Sequence, residues 1–261
     1  MWDASDIRVK LSGNEVLHGV NFAARPGQVT AIVGPNGSGK TTLLRALTQE
    51  VEYSGAIALG GKDVKRLKPW ELADIRAVLP QSSRIAFPFT VLEVVRLGLL
   101  NGSAATHSNI PTLALSRVGL DGYEGRFFQE LSGGEQQRVQ LARVLAQVWV
   151  PVAEDAPRWL FLDEPVASLD IGHQIEVMGI ARDFAGAGGG VVAVMHDLNL
   201  TAIYADHVTV LAGGMCLATG TPSQVLTDET LTHAYGCHLR VNTLPENGTT
   251  FVLPHSVRQA G

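Results

Sequence analysis

The stretch Gly34-Pro-Asn-Gly-Ser-Gly-Lys40-Thr41-Thr42 constrains this chain more than any other part of it. It joins a β-branched run, Val29–Val33, to a helix-forming run from Lys40 through about Gln49. A strand that passes through a tight glycine turn straight into a helix belongs to an α/β architecture. Gly34 and Gly39 bracket the turn and let backbone N–H groups approach an anion with no Cβ in the way. Those donors, carried by Gly34, Pro35-flanked Asn36, Gly37 and Ser38, add to the positive end of the helix dipole. Lys40 is placed to reach β- and γ-phosphates, Thr41 offers a hydroxyl to Mg²⁺, and Thr42 completes the cradle. The competing reading is a glycine-rich turn that binds nothing. The flanking strand and helix weigh against it.

Composition narrows the setting. A chain of 261 residues with 46% hydrophobic and 17% charged residues can bury a sizeable core. Its net charge of −5, with no long basic run, disfavours a partner made of nucleic acid. Cys216 and Cys237 are too few and too far apart for a disulfide framework or a zinc site. Met1-Trp-Asp-Ala-Ser-Asp is polar and acidic, unlike a signal peptide, and no apolar run is long enough to cross a bilayer. A soluble cytosolic protein is expected, brought to any membrane by a partner.

Along the chain, short β-rich runs alternate with turns as far as about Leu79: Ile7–Leu11, Val16–Phe22, Val29–Val33 and Ala56–Leu59, with Gly60-Gly61 as a tight turn. From Gln81 to about Val150 helical periodicity takes over. Thr90-Val-Leu-Glu93 is a capping box, Asn101 to Pro111 reads as a loop, and Leu131–Gln147 is a strong helix with Val139, Ala142, Leu145 and Ala146 on one face. From Trp159 strands and helices alternate again: strands at Trp159–Leu162, Val191–Met195 and His207–Leu211, a helix after Gly172, a turn at Gly213-Gly214, and a capped helix start at Thr221. Short strands and a frayed tail are expected after Tyr235-Gly236. The whole reads as one domain over 1–261, with residues 1–80 and 151–261 forming a nucleotide-binding core and 81–150 a helical insert.

Two further constellations carry chemistry. Trp159-Leu-Phe-Leu162 runs into Asp163-Glu164, and a buried strand ending in two carboxylates complements a phosphate loop. Asp163 is assigned to Mg²⁺ and Glu164 to polarising the attacking water. Alone, Asp-Glu-Pro is an ordinary turn; the phosphate loop reverses that weighting. Leu131-Ser-Gly-Gly-Glu-Gln136 reads first as a capping box, Ser132 with Glu135, opening an amphipathic helix. Two glycines in a first helical turn cost stability, and a helix N-terminus that approaches phosphates with bare backbone would justify them.

With that word the chain resembles the ATP-binding subunits of ABC transporters, whose signature is Leu-Ser-Gly-Gly-Gln/Glu. Gln81 falls where their glutamine loop belongs, Ser168-Leu-Asp170 matches the loop after the carboxylates, and His196 matches the switch histidine. The resemblance covers residues 7 to 225 and implies a P-loop fold with a mixed sheet, an antiparallel β subdomain and an inserted helical subdomain. It implies an ATPase with ATP and Mg²⁺ as ligands and an antiparallel homodimer in which Ser132, Gly133, Gly134 and Glu135 face the partner copy's γ-phosphate. Gln81 would sense Mg²⁺, and His196 would hold γ-phosphate and water in line.

The family normally places an aromatic ring before its first Val-Leu pair to stack on adenine, and Val9–Glu15 has none. The resemblance leaves Lys10 or Leu11 to cover the base, or Trp2 if it folds back, and implies weaker or less base-selective binding. Ala86-Phe-Pro-Phe-Thr90-Val-Leu-Glu93 and Leu169-Asp-Ile-Gly-His173-Gln are similar to importers of haem, iron-siderophores and vitamin B12. The insertion Trp149–Arg158 is similar to the haem branch. Its plainer reading is a surface loop that touches nothing. These similarities imply import of haem through a separate membrane permease, with ferric siderophore or vitamin B12 as the alternative cargo and a soluble non-transport ATPase as the alternative class. They also imply indirect service to a periplasmic binding protein and a peripheral place on the cytoplasmic face of the inner membrane. Residues 82–90 would receive the permease, with Phe87 and Phe89 either as apolar contacts there or as core side chains. His173, like His18, His107, His207, His233, His238 and His255, reads as a surface polar residue.

Overall fold

A computed structural model describes residues 1–81, 85, 87–101, 109–245 and 248–254, with side chains omitted at 100 and 101. The chain opens with β1 (Trp2–Leu11) and β2 (Asn14–Ala24), an antiparallel pair whose alternating burial gives it one core face. Next come β3 (Val29–Val33), α1 (Lys40–Leu47), β4 (Ser54–Leu59), β5 (Lys62–Asp63), α2 (Pro69–Ile75) and β6 (Arg76–Leu79). The helices α3 (Val91–Arg96), α4 (Ile110–Arg117) and α5 (Gly133–Gln147) follow. A hairpin of β7 (Val152–Ala153) and β8 (Ala156–Pro157) precedes β9 (Trp159–Asp163) and α6 (Ile171–Gly186). The remainder is β10 (Gly190–Val194), α7 (Leu198–Tyr204), β11 (His207–Ala212), β12 (Met215–Gly220), α8 (Pro222–Val225) and α9 (Asp228–Tyr235).

Two sheets result. One is antiparallel, in the order β2-β1-β4-β5; the other has six strands in the order β12-β11-β3-β10-β9-β6. Within the second, β11, β3, β10, β9 and β6 are parallel and β12 is an antiparallel edge. Parallel strands buried on both faces need apolar side chains throughout, and β3, β9 and β10 are buried at every residue. Ile32, Phe161, Val192 and Val194 point to one face, where Leu43, Leu44 and Leu47 of α1 and the apolar side of the antiparallel sheet cover them. Ala31, Val33, Leu160, Leu162 and Ala193 point to the other, against α5 and α6.

Several expectations need correction. The helix expected through Gln49 stops at Leu47, because Thr48 turns its hydroxyl back to the Leu44 carbonyl and Gln49 takes φ +59°. The helix expected from Leu131 begins at Gly133, with Ser132 as N-cap, and the helix expected after Gly172 begins at Ile171. The loop expected as far as Pro111 ends earlier, since α4 starts at Ile110; residues 102–108 lie outside the described residues. The insertion Trp149–Arg158 is a β-hairpin, and Val152 packs over Gly188. Among the described residues no strand follows Gly236; α9 precedes it and closes on Gly236 in the left-handed conformation. Trp2 does not fold toward the phosphate loop. It is fully buried, edge-on to Trp159 and Phe161 with ring centroids 5.6 and 4.9 Å away.

Candidate functional site

The carboxyl ends of β3, β10, β9 and β6 lie side by side, and each delivers a residue singled out above. Strand β3 ends in the Gly34 turn, β10 leads to His196, β9 ends at Asp163 with Glu164 next, and Gln81 stands exposed two residues past β6. Parallel α/β sheets bind ligands in that crevice.

The phosphate turn is fixed by sterics. Gly34 has φ +148°, and a Cβ there would stand 2.1 Å from the Leu211 carbonyl oxygen. Gly39 has φ +97° and abuts the Leu17 side chain, so β2 roofs the start of α1. Ser38 Oγ is buried, with no hydrogen-bond partner among the described residues. Lys40 is buried, and its Nζ donates to the carbonyls of Gly34 and Pro35 at 2.9 and 3.0 Å. Burial lowers its pKa, opposed by the nearby Glu164 and Asp163 carboxylates. Asn36, Gly37 and Thr42 complete the turn and the first residues of α1. Burial raises the Tyr235 pKa, and the Gly34 backbone N–H facing its hydroxyl oxygen opposes that.

Thr41 Oγ1 donates to Asp163 Oδ1 at 3.1 Å. Burial pushes the Asp163 carboxyl upward, and the Thr41 hydrogen bond opposes it. A hydroxyl and a carboxylate in contact, beside an ammonium, are the donor set that suits a hard divalent cation on a polyphosphate. The residues present therefore fit Mg²⁺ and a nucleoside triphosphate. Glu164 adopts φ +53°, a conformation costly for a residue with a Cβ. Its amide donates to the Val194 carbonyl at 3.2 Å, and its carbonyl accepts from Gln137 Nε2 at 3.1 Å. That strained turn aims the carboxylate at His196, whose Nε2 lies 2.6 Å from Glu164 Oε1. The Glu164 side chain is 13% exposed and that of His196 42%, so the pair sits at the rim of the crevice.

Ser132 and Glu135 make the expected capping box: Glu135 Oε2 accepts from the Ser132 amide and hydroxyl at 2.8 and 2.7 Å. Those bonds, with one from the Tyr123 hydroxyl, hold the Glu135 carboxyl down at about 2. Gly133 faces open space, whereas a Cβ at Gly134 would touch Leu169 Cδ2 at 3.3 Å. One signature glycine is thus explained inside the chain and the other is not. Phe87 is 69% exposed while Phe89 packs against the helical core, so the core reading holds for Phe89 and not for Phe87. Residues 82–84 and 86 of that groove, with His107 and His255, lie outside the described residues. His173 is a surface group bonded to Asp170 at 2.8 Å, as expected.

Gln137, Tyr123 and Tyr235 were not anticipated. Gln137 follows the signature word directly, which was the available signal; the tyrosines reach the site from distant segments. Among the described residues no helix is long and apolar enough to cross a membrane.

Residues 17–167 match the family described as ABC transporter. The chain is 66% identical to the hemin import ATP-binding protein HmuV of Jannaschia sp. (strain CCS1), over 100% of this chain and 97% of that protein. It is 64% identical to the protein of the same description from Roseobacter denitrificans, over 98% of each. Among solved structures, a nucleotide-free ATP-binding cassette from an ABC transporter matches with a TM-score of 0.77 and 24% identity, over 90% of this chain and 98% of that one. The cbiO1 protein of Clostridium perfringens, part of the ABC transporter complex cbiONQ, matches with a TM-score of 0.72 and 26% identity, over 89% and 92%.

Proposed function

The chain belongs to the ABC transporter family, and from that premise we propose that it is the ATP-hydrolysing subunit that powers hemin import through a separate membrane permease. The single observation that carries the enzymatic part is the 2.6 Å contact between Glu164 and His196 at the mouth of the Gly34 turn. Glu164 accepts a proton from water, and His196 holds that carboxylate in place and reaches toward the terminal phosphate. The backbone of residues 34 to 39 and Lys40 hold the polyphosphate, with Thr42 at the inner end. Thr41, Asp163 and Gln81 would hold Mg²⁺, which would neutralise phosphate charge there. Lys40 stabilises the charge that develops on the transferring group.

Residues 1–80 and 151–261 act as the nucleotide core, and 81–150 as the helical segment carrying the signature. Two copies close head to tail, so that Ser132, Gly133, Gly134 and Glu135 of one meet the nucleotide of the other. The capped N-terminus of α5, with Gly133 bare to solvent, supports this reading. Exposed Phe87 supports a permease contact on the cytoplasmic face of the inner membrane, with a periplasmic binding protein served indirectly. The test is reconstitution in vesicles with the co-encoded permease and binding protein. Stimulation of ATP hydrolysis by hemin is the expected result. Stimulation by ferric siderophore or cobalamin instead would reassign the cargo, and hydrolysis indifferent to all three would favour a non-transport ATPase.

A further inference from the structure

The helix after the phosphate turn and the helix after Ser132 are joined at their far ends. The joint is Arg76, the first residue of the strand that leads to Gln81. The guanidinium Nη2 of Arg76 donates to the backbone carbonyl of Thr48, the C-cap of α1. Thr48 is itself tied down: its Oγ1 lies 3.1 Å from both the Leu44 carbonyl and Glu50 Oε1, which share its one proton. Burial lowers the Arg76 pKa, and the Glu50 charge opposes that. In the other direction, the Arg76 carbonyl accepts from Gln147 Nε2 at 3.0 Å, and the Ala73 carbonyl accepts from the same amide at 2.9 Å. Both N–H groups of that amide are engaged, and Gln147 is the last residue of α5.

Capping α2 is the plainer explanation of Gln147, since Ala73 lies in the last turn of that helix. Capping does not explain why the cap arrives from the end of α5, nor why Arg76 reaches the opposite way to α1. We propose that Arg76 and Gln147 are positioning residues: a clamp that fixes the phosphate-turn helix, the Gln81 strand and the signature helix relative to one another. The proposal rests on the two-copy reading above. In that reading α1 addresses a copy's own nucleotide and α5 its partner's, so the clamp sets the spacing of the two half-sites. The 15 residues of α5 make a rod about 22 Å long, and releasing its C-terminal anchor leaves the Ser132 end held only by local bonds such as Gln137 to Glu164 and Tyr123 to Glu135.

The test uses the full chain with Gln147→Leu and Gln147→Lys, the ammonium of lysine still donating to the two carbonyls. Three quantities are measured: steady-state ATP hydrolysis, affinity for a fluorescent ATP analogue without Mg²⁺, and nucleotide-free amide exchange along α2 and α5. Gln147→Leu is expected to lower kcat about tenfold, the worth of roughly two lost hydrogen bonds, with analogue affinity unchanged. Exchange should quicken at residues 135 and 136, whose amides bond to Ser132, and Gln147→Lys should restore most of both. Faster exchange confined to α2, an unchanged kcat, a parallel fall in affinity, or no rescue by lysine would overturn the clamp. Should Gln147→Leu be insoluble, Arg76→Met against Arg76→Lys asks the same question from the other end. If the unmodified chain neither hydrolyses ATP nor dimerises with it, the two-copy reading itself fails, which its own controls reveal.

Discussion

Replacing Glu164 by Gln keeps the length of the side chain and removes its ability to take a proton. The local backbone should hold, because the Glu164 amide and carbonyl are bonded to Val194 and Gln137 independently of the carboxylate. The side chain is largely covered, at 13% exposure, so the amide replaces the carboxylate in nearly the same space. Loss of a positioned general base typically costs about 10²–10⁴ in rate, or roughly 3–5 kcal/mol of barrier. Exchanging carboxylate for amide at the His196 contact costs about 1 kcal/mol of stability, a shift of a few degrees in Tm. The expected variant therefore folds, binds ATP as the parent does, hydrolyses it about a thousandfold more slowly, and accumulates as an ATP-loaded dimer. Phosphate release under saturating MgATP measures the rate, and size-exclusion chromatography with ATP measures the dimer. Turnover within tenfold of the parent would refute the assignment of the base to Glu164 and with it the purpose of its strained backbone.

Other perturbations test neighbouring parts of the reading. Ser132→Arg should abolish turnover and leave analogue binding by the single chain intact; unaffected hydrolysis would remove α5 from the composite site. The Tyr53 hydroxyl is buried, and desolvation, helped by Asp63, raises its pKa to about 12 from an ordinary value of 10. A raised folded-state pKa gives stability that is complete below pH 10 and lost as pH climbs from 10 toward 12. Tyr53→Phe should flatten that part of a Tm-against-pH curve, and an unchanged alkaline slope would contradict it. Leu11 stands 37% exposed at the tip of the β1–β2 hairpin, whose Leu17 abuts Gly39. Leu11→Tyr should tighten ATP-analogue binding about fivefold to tenfold, the worth of one aromatic contact, and widen the preference for ATP over GTP; equal affinities before and after would place the base elsewhere.

The legible parts of the sequence were those where one local rule decides. The β3 strand was read to the residue because a β-branched run met a glycine turn, and the Ser132 and Thr90 boxes because capping is a three-residue pattern. The Pro69–Ile75 helix is illegible in the sequence because it is barely two turns long and shows too little periodicity. The insert hairpin was hidden for another reason. Its turn residues, Glu154 and Asp155, take φ +49° and +61° without the Asn-Gly or Asp-Gly pair that announces such a turn. Trp2 was free to go anywhere on sequence grounds; only the cavity beside Trp159 and Phe161 decides its place. At the site, residue types and order were readable, but partners such as Tyr235 on Gly34 or Gln137 on Glu164 depend on tertiary packing and leave no local mark.

Strand β3, which carries the phosphate turn, lies between β10 and β11. Both are encoded in the last third of the chain, and Trp2 likewise waits for Trp159. At about 5–20 residues per second, the ribosome makes the Gly34 segment roughly 8–30 seconds before either flanking strand exists. During synthesis the nucleotide cradle is therefore among the first parts made and the last to be closed. A chain stalled before residue 190 holds every motif up to Glu164 without either strand that flanks the phosphate turn in the sheet.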